Sequence, residues 1–291
     1  MDHTMWRIVT RTVVAVNRAL ARTGRRPRYS DVQIVRMYFW AVWHDRPLCW
    51  ACDRLHYNRL FHPRHLPSIS QFSRRLRTPR VQEILQWTHR RLARDGTACR
   101  VMFLDGKALA VSESTQDRDA RTGHGNGMFS RGYKLHALGT EDGRITAFCV
   151  RPLNEHEIPV AVARLAPHVD HKALVLADGN YDGNRLYQAI QNRGAWMLTP
   201  LRGRARTGAK RRRMCRTRRW AIDLWNRREK LCSKAYRYRS TIERTFSALT
   251  CYAGGLGPLP AWVRGLRRVT QWVTAKIILY HARLRCRQMV A

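Results

Sequence analysis

Two hydrophobic runs that each end in an aspartate constrain this chain more than any other feature. Cys99-Arg100-Val101-Met102-Phe103-Leu104-Asp105-Gly106 is one, and Ala173-Leu174-Val175-Leu176-Ala177-Asp178 is the other. Both are short, and consecutive apolar residues in an extended chain fall on both faces, so the second reads as a central parallel strand. Between them, Gly132 to Leu138 and Ile145 to Val150 alternate in polarity, and Glu141-Asp142-Gly143 supplies hairpin chemistry. Helical patterns over His156 to Pro167 and Asn184 to Asn192, with a strand over Ala195 to Thr199, give a mixed α/β order. Helices are expected again over Ser233 to Thr250 and Trp262 to Gln288.

Residues 1–98 have a different texture and read as helical throughout. Ser30-Asp31-Val32-Gln33 has capping-box spacing and opens the apolar periodicity of Val32, Val35, Tyr38, Phe39, Val42 and Trp43. Ser68-Ile69-Ser70-Gln71 repeats the device before Phe72 to Arg77, and a third helix is expected from Pro79 to Leu92. This half contains 19 arginines, no lysine and six acids. Short helices with arginines on their faces suit either a helix-turn-helix reader of DNA or a bundle that only packs on the next domain. In the first reading, Arg74, Arg75 and Arg77 on the Ser68 to Arg77 segment are the candidate DNA contacts. They cannot all face a groove, so some should bind phosphate and others pack. The expected division is a helical DNA-binding region over 1–98 and an α/β domain over 99–291, the latter carrying a basic segment at 202–230.

Charge narrows the partner. Lysine and arginine number 55 against 20 acids, a formal net charge of +35. Such self-repulsion is most easily carried beside a polyanion, and phosphate contacts supply most of the binding energy of basic nucleic-acid proteins. An anionic membrane is the competing partner, but no basic amphipathic helix stands apart to favour it, and no run approaches 18 apolar residues. Only seven of the basic residues are lysine; arginine's planar fork suits phosphate, although a GC-rich genome gives the same bias. Eight scattered cysteines without a signal peptide read as reduced thiols of a cytoplasmic protein rather than a disulfide scaffold. Cys49-x2-Cys52 with His62 and His65 misses the spacing of a zinc finger. Asp117 and Asp119 are expected to be solvated in a polar loop reaching to Gly127, Trp196 to be buried, and Cys251 and Cys286 to pack within helices. Residues 202–219 hold ten basic residues and no acid; they fit a solvated loop or a strand that tracks a phosphate backbone.

Acids are scarce in the C-terminal part, where only Asp223, Glu229 and Glu243 follow Asp182. Glu243 sits in the basic run Tyr236-Arg237-Tyr238-Arg239-Ser240-Thr241-Ile242-Glu243-Arg244. On one continuous helix Tyr236, Arg239 and Glu243 share a face, and Arg239 reads either as an ion-pair partner of Glu243 or as a phosphate clamp. Phosphoryl transfer with two hard cations needs oxygen ligands from several elements, and Asp105, Asp178 and Glu243 meet that need in order.

These blocks together resemble the DDE-type transposases of bacterial insertion sequences. Leu104-Asp105-Gly106 is similar to the family's first acid, Gly132-Tyr133-Lys134-Leu135-His136 to its second-strand block, and Asn154-Glu155-His156-Glu157 to the start of its first long helix. Ala177-Asp178-Gly179-Asn180-Tyr181-Asp182 is similar to its second-acid block, and Tyr236-x2-Arg239-x3-Glu243 to its Y-x2-R-x3-E signature. The lysine that ends that signature is Thr250 here. The resemblance implies a ribonuclease-H-like catalytic domain that cleaves element ends and joins the freed 3′-hydroxyl to target DNA. It implies that Asp105, Asp178 and Glu243 are catalytic and hold two Mg2+ ions, for which Mn2+ substitutes. It implies that Tyr236 and Arg239 touch phosphates of the element end, and assigns no agreed role to Lys134 or His136. Double-stranded DNA is the implied partner, with a homodimer or higher oligomer in the synaptic complex and a nucleoid-associated place in a bacterial cytoplasm. A non-joining nuclease of the same fold and an inactive DNA-binding repressor are the alternatives; the intact triad of acids speaks against the second.

Overall fold

A computed structural model describes residues 2–20, 27–94, 98–111, 115–125, 127–200, 212–252 and 254–289. The chain divides into two compact units, one of residues 1–95 with 249–291 and one of residues 96–248. The first boundary lies close to the expected break after residue 98. The C-terminal one departs from the expected 99–291 domain, because the last helix belongs with the N-terminal helices.

The first unit is helical, with α1 (His3–Ala19), α2 (Asp31–Trp43), α3 (Ile69–Leu76), α4 (Pro79–Ala93) and the last helix, Leu266–Gln288. The starts follow the sequence signals. The Ser30 hydroxyl accepts the Gln33 amide at 3.1 Å. Ser68 and Gln71 form a reciprocal capping box, and Pro79 occupies the first turn of α4. The expectation of helix throughout 1–98 fails over 50–68, where two 3-10 turns, Trp50–Cys52 and Arg54–His56, lead into irregular chain. The Leu266–Gln288 helix packs against α1, α2 and α4. Its residues Gln271 to Ala282 are buried on every side, as a helix in the centre of a bundle must be.

Among its described residues the second unit has six strands: β1 (Val101–Ala110), β2 (Arg121–Gly125), β3 (Met128–Thr140), β4 (Ile145–Pro152), β5 (Leu174–Ala177) and β6 (Trp196–Leu198). The order is β2-β3-β1-β5-β6, and β4 also pairs with β3. β1 runs antiparallel to β3 and parallel to β5, so the sheet is mixed. Helices α5 (Glu157–Arg164), α6 (Asn184–Gln191), α7 (Arg216–Arg227), α8 (Glu229–Arg237) and α9 (Ser240–Thr250) accompany the sheet, with 3-10 turns at Ala166–His168 and Gly179–Tyr181; the Leu266–Gln288 helix is α10. No described helix is long and apolar enough to cross a membrane.

Several sequence expectations need correcting here. The loop to Gly127 contains strand β2, paired to β3 from Arg121 to Gly125. Asp117 is buried, because Tyr133 Oη donates to its carboxylate at 2.7 Å and Arg131 to its carbonyl at 2.9 Å. Trp196 opens the edge strand β6 half-exposed, with its ring 4.6 Å from that of Trp220. Cys251 lies beyond α9 and is exposed, and Cys286 is partly exposed on α10. Of the basic run 202–219, residues 216–219 start a helix, and 202–211 lie outside the described residues.

Candidate active site

Register brings the two aspartates together, although only Asp178 follows a strand end; Asp105 lies in the middle of β1, which runs on to Ala110. The parallel pairing of β1 and β5 ends at Leu104 opposite Ala177, so Asp105 and Asp178 are the next residues on adjacent strands. β5 stops there while β1 continues along β3, which leaves Asp105 at the point where its neighbouring strand gives way. Asp178 caps the 3-10 turn Gly179–Tyr181: the Asn180 amide donates to Oδ1 at 2.9 Å and Asn180 Nδ2 to Oδ2 at 3.2 Å.

The third acid arrives from α9. Phe103 pairs with Gly139, where an added Cβ would meet the Ile242 side chain at 2.5 Å. Side chains alternate along a strand, so Asp105 lies on the same face of the sheet as this Ile242 contact. Arg239 spans the gap, donating from Nη2 to Asp105 Oδ2 at 3.3 Å and from Nη1 to Glu243 Oε1 at 2.8 Å. Glu243 remains largely exposed, with 58% of its side chain open, whereas Asp105 retains only 14%. Burial pushes the Asp105 carboxyl up to about 6. Arg239 and the Gly106 amide pull it down, and the charges of Asp178 and Glu243 add to the rise.

The expected single helix from Ser233 to Thr250 is broken. α8 ends at Arg237 and α9 begins at Ser240, the chain between them held by hydrogen bonds to the third residue back, such as Arg239 N to Tyr236 O at 2.9 Å. Tyr236, Arg239 and Glu243 therefore do not lie along one face of a continuous helix. The three still converge: the Tyr236 phenol is raised by burial, with Arg239 opposing and Asp178, Asp105 and Glu243 adding. Arg239's guanidinium is occupied by two carboxylates, Asp105 and Glu243.

An open pocket of about 640 Å³ adjoins the aspartates. Four of the sequence blocks meet in its wall: Asp105 with Gly106, Lys134, Asn154 to Glu157, and Asp178 with Asn180 and Tyr181. Lys134 Nζ donates to Glu157 Oε1 at 2.6 Å. His136 is fully buried on the same strand face, its imidazole pushed down to about 4 by burial and then by Lys134. Neither its ring nitrogens nor the buried Tyr181 hydroxyl has a hydrogen-bond partner among the described residues. Sequence reasoning missed Glu157 and Tyr181 as members of this wall, although both lie in blocks it had singled out. It also missed the two-pronged pair of Arg218 with Asp182, at 2.8 and 2.7 Å, which ties α7 to the turn after Asp178.

The three candidate DNA contacts on α3 separate. Arg75 turns inward to Asp31, at 2.5 Å, and to the Tyr29 carbonyl, at 3.2 Å. Arg74 and Arg77 are exposed and line a groove with Ser68, Ile69, Ser70 and Ser73.

Divalent cations require hard oxygen donors, and Asp105, Asp178 and Glu243 fit in kind, with one guanidinium already held between two of them. Among the described residues, no three metal-binding side chains converge tightly enough to hold an ion as they stand. The model of the family described as "Transposase DDE domain" matches residues 96–280, more than half of the chain. Comparison with curated proteins gives no match. Among solved structures, the cryo-EM structure of a piggyBac transposase synaptic complex with hairpin DNA is similar at a TM-score of 0.47 and 10% identity. The alignment covers 98% of this chain and 72% of that one.

Proposed function

Because the chain belongs to the DDE transposase family and is accordingly a DNA-cleaving and DNA-joining transposase, we propose that Asp105, Asp178 and Glu243 are the carboxylates at which it works. One observation carries this reading: Asp105 and Asp178 follow the last paired residues of adjacent parallel strands, and Arg239 links Asp105 to Glu243. The mixed sheet flanked by helices is the catalytic fold, of ribonuclease-H type in the finer reading.

The family generally uses divalent metal ions. In the finer reading these are two Mg2+ ions, replaceable by Mn2+, and they supply Lewis acidity at the scissile phosphate when bound. Asp105, from a rigid strand, and Asp178, fixed by Asn180, would be the invariant part of the ligand set. Glu243, exposed at the start of a helix, would be the part that adjusts as DNA enters. Water attacks the phosphorus at the element end and gives up a proton as the 3′ oxygen leaves and takes one. The freed 3′-hydroxyl then attacks a phosphodiester of target DNA, losing its proton as that phosphodiester's own 3′ oxygen leaves and is protonated. Arg239 keeps the carboxylates from repelling one another, and Tyr236 and Arg239 border the path of the strand. Arg74 and Arg77, exposed on α3, are the remaining candidates for reading or gripping the ends. The substrate is the double-stranded end of an insertion sequence, met at the bacterial nucleoid by a dimer or larger assembly.

Asp105→Asn, Asp178→Asn and Glu243→Gln are each expected to lower plasmid cleavage with magnesium at least 1,000-fold, which corresponds to about 4 kcal/mol of barrier. Binding to the same DNA should be nearly unchanged. Near-normal joining by any one variant would remove that residue from the site.

A further inference from the structure

Lys134 lies where its family block had no assigned task. It stands on β3 opposite Ala108, and His136, two residues on, stands opposite Gly106. Its aliphatic stem crosses Gly106 closely. A Cβ on that glycine would come within 3.1 Å of Lys134 Cδ and 3.6 Å of Tyr181 Oη. Gly106 and Lys134 lie on the sheet face opposite Asp105, the glycine leaves room there for the lysine stem, and one pocket is lined by Lys134 and by both aspartates. The Lys134 ammonium is anchored by Glu157, at the N-terminus of α5 and also in the pocket wall, at 2.6 Å. Burial raises the Glu157 carboxyl, but the Lys134 hydrogen bond and its own backbone amide bring it below its ordinary value, so the anchor is a charged one. An ammonium has three donors. Among the described residues Glu157 takes one and the pocket leaves two.

We propose that Lys134 is a substrate-contact residue, donating from Nζ to a non-bridging oxygen of one phosphodiester in the DNA strand engaged by Asp105 and Asp178. The inference rests on the reading of those aspartates given above. Phosphate is the fitting ligand because lysine binds it as a point charge. A strand lying at two carboxylates also needs a cation on its other side. Glu157 is the positioning residue, holding the ammonium at the pocket wall.

The test uses the full-length protein and the duplex that borders its own gene, with the phosphates of the cleaved strand replaced one at a time by neutral methylphosphonate. Binding is measured without metal for the wild type and for Lys134→Met. One position is expected to weaken wild-type binding about tenfold. Lys134→Met should bind the unmodified duplex about tenfold more weakly, lose nothing further at that position, and show a salt slope lower by about 0.9 in log–log units. A purely structural lysine would give parallel losses at every position and an unchanged slope, which overturns the proposal. If the methionine variant melts early, Lys134→Gln retains a hydrogen bond to Glu157 and is read in the same way. Plasmid nicking separates the two levels of inference. If nicking occurs and Asp105→Asn abolishes it while no phosphate couples to Lys134, only the lysine assignment falls. If Asp105→Asn still nicks normally, the underlying site reading falls first.

Discussion

Two buried lysines of this chain meet a carboxylate at almost the same distance and are otherwise opposites. In the helical unit, Lys276 is fully buried in α10, 2.7 Å from Asp45 and 2.9 Å from the Gly254 carbonyl, with its ammonium 5.1 Å from the Trp272 ring. Asp45 reaches it from a left-handed backbone (φ 50) that aspartate tolerates better than most residues. In the catalytic unit, Lys134 meets Glu157 at 2.6 Å and then faces an open pocket. Taking a charge out of water costs several kcal/mol, and the cost is recovered only when the charge is well satisfied. Lys276 is satisfied by its own chain. Lys134 is satisfied in part, which is the condition expected of a cation whose last partner is a substrate.

The largest expected effect that sharpens this contrast is on stability. Lys276→Ala removes a buried stem and strands the Gly254 carbonyl, and should lower unfolding free energy by about 3 kcal/mol in a denaturant titration. Lys134→Met, whose stem is conserved in volume and which lines an open pocket, should lose about 1 kcal/mol. Equal losses would erase the distinction between closed and open pairs.

His136, beside Lys134, offers a second handle through pH. Lys134 and Arg151 hold its imidazole down and Glu157 and Glu155 pull it up, but burial dominates and leaves it near 4 against an ordinary 6.5. The unfolded chain therefore takes up this proton first. Stability from the neutral ring is complete above pH 6.5 and is lost as pH falls towards 4, by roughly 3 kcal/mol at full extent. His136→Phe should flatten this part of the stability–pH curve, and a curve of unchanged steepness would show that the ring is already charged in the folded protein.

The smallest effect repeats the contrast within α3. Arg75, committed to Asp31, should cost about 1 kcal/mol of stability when replaced by alanine and leave the salt slope of DNA binding alone. Arg74→Ala should leave the melting temperature alone and lower the slope by about 0.9. Reversed results would move the DNA-facing side of α3.

Local signals were enough for the parts of this molecule that local physics controls. Ser30, Ser68 and Pro79 opened their helices where their capping chemistry said they would, and the runs ending at Asp105 and Asp178 became β1 and β5 because residues apolar on both faces need cover on both. Asp105, Asp178 and Glu243 were legible as candidates because carboxylates are scarce in so basic a chain. Other features depended on residues far apart in sequence. The break at Tyr238 and Arg239 interrupts a helix whose local pattern is continuous. Asp117 looked solvated until Tyr133, sixteen residues on, covered it. The placement of α10 with the first helices depends on apolar residues that pack against α1, α2 and α4, far away in sequence. What the sequence by itself determined is the inventory: most of the helix starts, the strands that became β1 and β5, which acids are available, and a charge that calls for a polyanionic partner. What only the tertiary structure decided is the pairing of charges: Arg239 between Asp105 and Glu243, Arg75 inward to Asp31, Lys276 closed and Lys134 open. The strength and role of a charge depend on burial and on neighbours a few ångströms away, and a linear chain does not specify those until it has folded.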